Sequence, residues 1–286
     1  MLQRSIDHVT TIPPLGPGFD GERHRAALVI VPGDFPSTDP FFLMADDNIT
    51  LEGRFGDAHP HAGLETVTFM LKGTMEDTGG RLEEGDVEWM TAGSGIVHSE
   101  NAVVSTGMRL FQLWLILPEA QRNMPPRVQV LRRADMPVHA EPGVTATVYS
   151  GQLEDAAAPT LNAVPVTLID IHLEAGAAFA PQLPASYNAF VVTIDGEVEA
   201  GVTGEPLAAG SVGWTSPMGD GVSSLTLRAG DRGTRVLLYA GQPQSIDVVA
   251  QGPFIAGSRE ELAGYFAAYR HGKFPHAGTM RPVAHA

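Results

Sequence analysis

Apolar residues in this chain come in short runs, separated by glycine, proline and acidic positions. Residues 26–32 (AALVIVP), 41–45 (FFLMA), 64–71 (LETVTFML) and 87–90 (VEWM) predict strands, with Arg81-Leu82 leading into a Gly85-Asp86 turn. Residues 109–117 (RLFQLWLIL) are almost continuously apolar, as in a strand covered on both faces. Proline-rich 124–126 and the stretch 134–143 read as a connection, after which a second series begins at 144–149, 166–173, 189–194, 197–202, 211–215, 222–228 and 234–240. Short strands punctuated by glycine predict an all-β sandwich or barrel. Near the end the period changes. Ser258 with Glu261 forms a capping box, and Leu262, Tyr265, Phe266 and Tyr269 recur at helical spacing. This predicts one helix docked on a barrel, followed by an irregular tail after Gly272.

The second series echoes the first. Shifted by 123 residues, LETVTFMLKGTME falls on YNAFVVTIDGEVE, so that Gly73 meets Gly196 and Glu76 meets Glu199. With a further slip of two, the Gly85–Trp89 run meets Gly210–Trp214. An echo this long predicts a duplicated domain, divided as residues 1–133 and 134–286. The length of 286 residues suits two domains, and 32 glycines with 22 prolines favour strands and turns over long helices.

Charge and cysteine usage narrow the function. A net charge of −15 repels phosphate backbones, which argues against direct nucleic-acid binding. With no cysteine in the chain, thiol catalysis, thiolate zinc sites and disulfides are excluded. No run approaches the ~20 apolar residues of a membrane helix, and the start shows no signal-peptide pattern. A cytoplasmic, monomeric protein is the expectation.

The candidate chemistry is two pairs of ligand-type side chains at i, i+2: His59 with His61, and His98 with Glu100. On a strand such a pair points to one face. Two pairs facing one another would give three imidazoles and one carboxylate around a divalent ion, with coordination positions left over. Pro60 suits a strand start or edge. Continuing the alternation puts Glu65, Val67, Phe69 and Leu71 on the histidine side unless Gly63 introduces a bulge. Glu65 is therefore either a ligand itself or a carboxylate orienting a histidine ring. Trp89, Gln112 and Trp114 either line the pocket or belong to the core, and His172 reads as structural. In the second copy His59, His61 and Glu65 fall on Gln182, Pro184 and Asn188, and His98 and Glu100 fall on Ser223 and Leu225. One metal site per chain is predicted.

DPFFLMADD, DAHPHAGLETVTFMLKGTMED, GDVEWMTAGSGIVHSE and FQLWLILP resemble the pirin family of the cupin superfamily, and GPFIAGSREELAGYFAAYRHGKF resembles its end. The match is dense over residues 39–130, looser beyond and weak over the first 25. The hairpin between Gly73 and Gly85 is shorter than in relatives, which would alter substrate access. The resemblance implies two tandem cupin barrels (double-stranded β-helices) with a C-terminal helix, metal being held in the first barrel alone. It assigns His59, His61, His98 and Glu100 as ligands and leaves Glu65 outside the set. Fe(II) is the implied ion, with Mn, Co, Ni, Cu or Zn able to use the same donors. Bacterial members are similar to quercetin 2,3-dioxygenases, which open a flavonol with O2 and release CO; Glu100 or Glu65 would then be the general base. The alternative implied function is a non-enzymatic iron protein that acts on transcription factors or metabolic enzymes. A third is oxidation of a different enol or phenol.

Overall fold

The computed structural model describes residues 1–18, 21–50, 57–77, 80–101, 107–280 and 283, with the backbone alone at 21–23, 77, 100 and 101. Strands dominate, and Arg259–Arg270 is the one α-helix among the described residues. Among the described residues no helix is long and apolar enough to cross a membrane.

Two compact units emerge. The histidine-bearing unit comprises the described residues of Pro13–Ala134, Asn162–Val164 and Gln244–Ala286; the other comprises Met1–Ile12, Asp135–Leu161 and Pro165–Pro243. Both ends of the chain thus depart from the division expected at 133/134. The first dozen residues fold with the second half, because His8–Thr11 adds to the sheet edge at Ser211–Thr215. The predicted helix folds with the first half, where Leu262 and Tyr265 pack on Ala62, Val97 and Phe254. One half of the expected capping box forms, Ser258 Oγ accepting from the Glu261 amide at 3.1 Å, while the Glu261 carboxylate accepts from the Gly257 amide at 2.8 Å.

In the histidine-bearing unit a seven-stranded antiparallel sheet runs, in spatial order, Arg127–Leu131, Val87–Thr91, Leu64–Lys72, Met108–Ile116, Phe41–Ile49, Gly21–Ile30 and Gly16–Gly18. Phe41–Ile49 extends beyond the apolar run that announced it. Its acidic end is paired instead of solvated, Asp46 with Arg109 and Asp47 with His24. Two smaller sheets complete the unit. One pairs His59–His61 with Ile96–His98; the other orders Glu100–Asn101, Met75–Asp77 and Gly80–Leu82. The tip of the short hairpin, residues 78–79, lies outside the described residues. Met70, Met75, Leu82, Met108, Leu110 and Ile49 form one apolar cluster.

The other unit repeats this plan around an apolar core of its own. Asn188–Ala200 fuses the strands expected at 189–194 and 197–202, the strand expected at 222–228 is split between Val222–Ser224 and the start of the long strand Leu227–Gly241, and the expected connection at 134–143 carries a further strand, Val138–Glu141. The glycine match survives in atomic detail. Gly73 and Gly196 both have positive φ, and a Cβ at either would lie 2.4 or 2.1 Å from the carbonyl oxygen of Gly107 or Gly233 respectively.

Candidate metal centre

Antiparallel pairing sets the site. Strand His59–His61 lies against Ile96–His98 with His59 opposite His98, Pro60 opposite Val97 and His61 opposite Ile96. Alternation then turns all three imidazoles to one side. The ring centroids of His59 and His98 are 4.3 Å apart, and His61 lies 5.0 and 5.1 Å from them. The three available ring nitrogens fall within 4.8 Å of one another, and among the described residues this is the only His/Asp/Glu group so converged.

The donor chemistry fits a divalent ion. His59 Nδ1 is 2.9 Å from the Asp57 carbonyl oxygen. A carbonyl only accepts, so Nδ1 carries the proton and Nε2 keeps its lone pair. His98 Nε2 stands 2.9 Å from that Nε2. Two nitrogens each about 2.1 Å from one ion, at right angles, are separated by about 3.0 Å. His61 is buried, and its pKa is held well below the ordinary imidazole value. Burial is the main cause, reinforced by His98 and His59 and partly offset by a hydrogen bond to the Pro253 backbone. A neutral imidazole is the form that binds a metal. The fourth expected ligand, Glu100, begins a strand opposite Asp77; its side chain lies outside the described residues.

Glu65 requires a correction, since the structure places it away from the histidines. Its carboxylate accepts from Thr91 Oγ1 at 2.6 Å and from the amides of Ala163 and Val164 at 3.1 and 3.3 Å. Burial raises its pKa, while these bonds oppose the rise. The register shows why the alternation failed. Trp114 pairs with Thr66, one residue on from Glu65 and so on the opposite face. Trp114 is also the ring that meets His61, edge-on at 5.1 Å. Gly63 lies between His61 and Glu65 with φ +77, and a Cβ there would lie 1.8 Å from the Ile255 carbonyl oxygen. This left-handed residue reverses the parity.

Of the three residues that were either lining or core, Trp114 lies against His61, and Gln112 shares its face two residues away. Trp89 is fully buried on the Glu65 face. Two inward polar residues escaped the sequence reading. Thr68, opposite Gln112, donates to Gln112 Oε1 at 3.0 Å, and buried Glu88 is in register with Thr68. The signal was available, because an acidic residue inside the apolar run VEWM, one position before Trp89, must face the other way.

In the other unit the counterpart strands pair Leu183 with Ser223. Leu183, Ala185 and Ser223 are buried, whereas Gln182 and Pro184 are exposed. The inward counterparts of His59 and His61 are therefore Leu183 and Ala185, one residue beyond the expected Gln182 and Pro184. The offset arises because the first copy has one more residue, at Gly63, between this strand and the next. None of the three can replace an imidazole.

The profile of the family described as Pirin matches residues 33–115, and that of the Pirin C-terminal cupin domain matches residues 168–275. Pirin-1 of Arabidopsis thaliana is 34% identical over 244 residues, covering 82% of this chain and 83% of its own. A Pseudomonas aeruginosa protein, provisionally named a quercetin 2,3-dioxygenase, is 35% identical over 274 residues, covering 90% of this chain and 94% of its own. The crystal structure of a quercetin 2,3-dioxygenase from Acinetobacter baumannii superposes with a TM-score of 0.82 at 26% identity, covering 95% of this chain and 98% of that one.

Proposed function

The chain belongs to the pirin family, a two-cupin all-β fold, and from that premise we propose that its histidine cluster holds one Fe(II) and opens flavonols such as quercetin with O2, releasing CO. The observation that carries this reading is the 2.9 Å approach of the His59 and His98 Nε2 atoms beside neutral, buried His61. The names of the Pseudomonas and Acinetobacter proteins support the reaction class.

A bound divalent ion would supply Lewis acidity, lowering the pKa of a coordinated hydroxyl. The chain's own residues do the rest. His59, His61 and His98 present lone pairs from a strand pair that cannot rotate, with the His59 tautomer fixed by Asp57. Glu100 completes the donor set and takes the proton of the flavonol 3-hydroxyl. Glu65 is committed to Thr91, Ala163 and Val164 and has no part in that transfer. Trp114, edge-on to His61, helps exclude water from an electron-rich substrate anion.

Iron-loaded protein supplied with quercetin under O2 is expected to consume oxygen and release CO in equal amounts, and Glu100→Gln or His59→Ala to abolish both. Absence of CO from protein shown to contain iron would reject the dioxygenase reading. A fully active His59→Ala would reject the site. A second reading, an iron protein that acts by binding other proteins, is favoured by relatives that carry only the name pirin. It predicts metal-dependent capture of one defined partner together with no flavonol turnover.

A further inference from the structure

We propose that the carboxy-terminal segment from Pro253 to Ala277 is a positioning element of the metal centre, holding the two turns that aim His61 and His98, with Phe274 its principal contact on the His98 side. The inference rests on the metal reading above and concerns residues more than 150 positions away from the ligands they would govern.

The contacts come in two groups. On the His61 side, the Ile255 amide donates to the Ala62 carbonyl at 3.0 Å, and the Gly63 amide donates to the Gly93 carbonyl at 2.8 Å. The turn that follows His61 is thereby tied both to the carboxy-terminal segment and to the turn that precedes His98. On the His98 side, the Val97 amide donates to the Pro275 carbonyl at 2.9 Å. The short strand Ile96–His98 is therefore gripped on one edge by His59–His61 and on the other by Pro275. Phe274 lies so close beneath Gly95 that a Cβ on the glycine would fall 2.1 Å from its ring. Ala62 and Val97, each the immediate neighbour of a ligand, are buried in one cluster with Phe254, Ala256, Leu262, Tyr265 and Phe274.

The segment is itself anchored. The Glu261 carboxylate accepts from Arg122 Nη1 and from the Gly257 amide, both at 2.8 Å, and the Tyr265 hydroxyl donates to Glu261 at 3.1 Å. Arg122 is almost fully buried beneath the helix start. Metal ligands need placement to a few tenths of an ångström. Neither three-residue histidine strand belongs to the main sheet, so their aim depends on what backs them.

The test is a Co(II) titration of the full chain, followed by d–d absorption, with thermal unfolding measured on the same samples. Phe274→Ala should weaken Co(II) binding about tenfold or more, the range found when groups behind metal ligands are removed, and Phe274→Leu should restore most of it. Val148→Ala, in the core of the other unit, should lower the melting temperature and leave Co(II) affinity unchanged. If Phe274→Ala does not fold, Glu261→Gln, which loosens the anchor, should weaken binding several-fold. Parental affinity in the folded Phe274 or Glu261 variant would overturn the inference, as would an equal loss in Val148→Ala. A parent that binds no Co(II) would overturn the metal reading itself, a separate outcome.

Discussion

Arg109 grips Asp46 in the histidine-bearing unit through two parallel bonds of 2.8 and 2.7 Å, and Arg235 grips Asp170 in the other unit through bonds of 3.0 and 2.9 Å. The forks occupy matching places. Asp46 pairs with Phe111 two residues after its arginine, and Asp170 pairs with Leu237 two residues after its own. The contrast lies where the first unit gathers imidazoles. There the second unit has Leu183, Ala185 and Ser223, and it brings in a guanidinium from the start of the chain. Buried Arg4 donates to Ser223 Oγ at 2.8 Å, Thr215 Oγ1 at 2.6 Å, and the carbonyls of Pro184 and Tyr187 at 2.8 and 3.0 Å. One copy gathers three imidazoles whose ring nitrogens converge; the other carries a covalently attached cation among acceptor oxygens. Duplication preserved the frame, while the charge arrangement at this place diverged to opposite requirements.

The strongest way to break the comparison is Arg4→Ala. It strands two hydroxyls and several carbonyls in a buried place, and should cost about 3 kcal/mol or more in urea unfolding. Metal content should not change, because the ligands are in the other unit. A parallel loss of metal would show that the two sites are not independent. Next come the matched forks. Asp170 is fully buried beside Arg235, whereas the Arg109 side chain is 34% exposed. Asp170→Asn should therefore cost about 3 kcal/mol and Asp46→Asn about 1 kcal/mol. Equal costs would mean burial does not separate the two bridges.

Acid should distinguish the units more gently. The folded-state pKa of His61 is depressed, chiefly by burial, so the metal-free protein resists protonation that the unfolded chain accepts. Its stabilising contribution is present above about pH 6.5 and falls as pH drops below that, by up to about 1.4 kcal/mol per pH unit. Burial pushes the Asp170 carboxyl up, but hydrogen bonds and charge from His172 and Arg235 outweigh this and hold it below its ordinary value. Its contribution is present above about pH 3.9 and is lost only below that. Unfolding of metal-free protein between pH 7 and 3 should show the His61 phase first, and His61→Gln should remove it. Stability that stays flat down to pH 5 would contradict the His61 assignment.

Local alternation determined much of this protein from its sequence alone. The strand runs, the doubled glycine frame and the i, i+2 pair His59 and His61 were all legible, because side-chain direction on a strand repeats every two residues and needs no distant partner. The helix was legible too, from its cap and its apolar spacing. Tertiary structure decided what crosses long sequence distances or hangs on one residue. Gly63, in the left-handed region, turned Glu65 to the far face and displaced the counterparts of His59 and His61 by one position. Arg4 found its acceptors some 200 residues away, and the helix from the end of the chain packed on the strands that carry the first histidines. Neither pairing leaves a local trace, because an amide, a guanidinium or an apolar face specifies the kind of partner it needs and not where in the chain that partner lies.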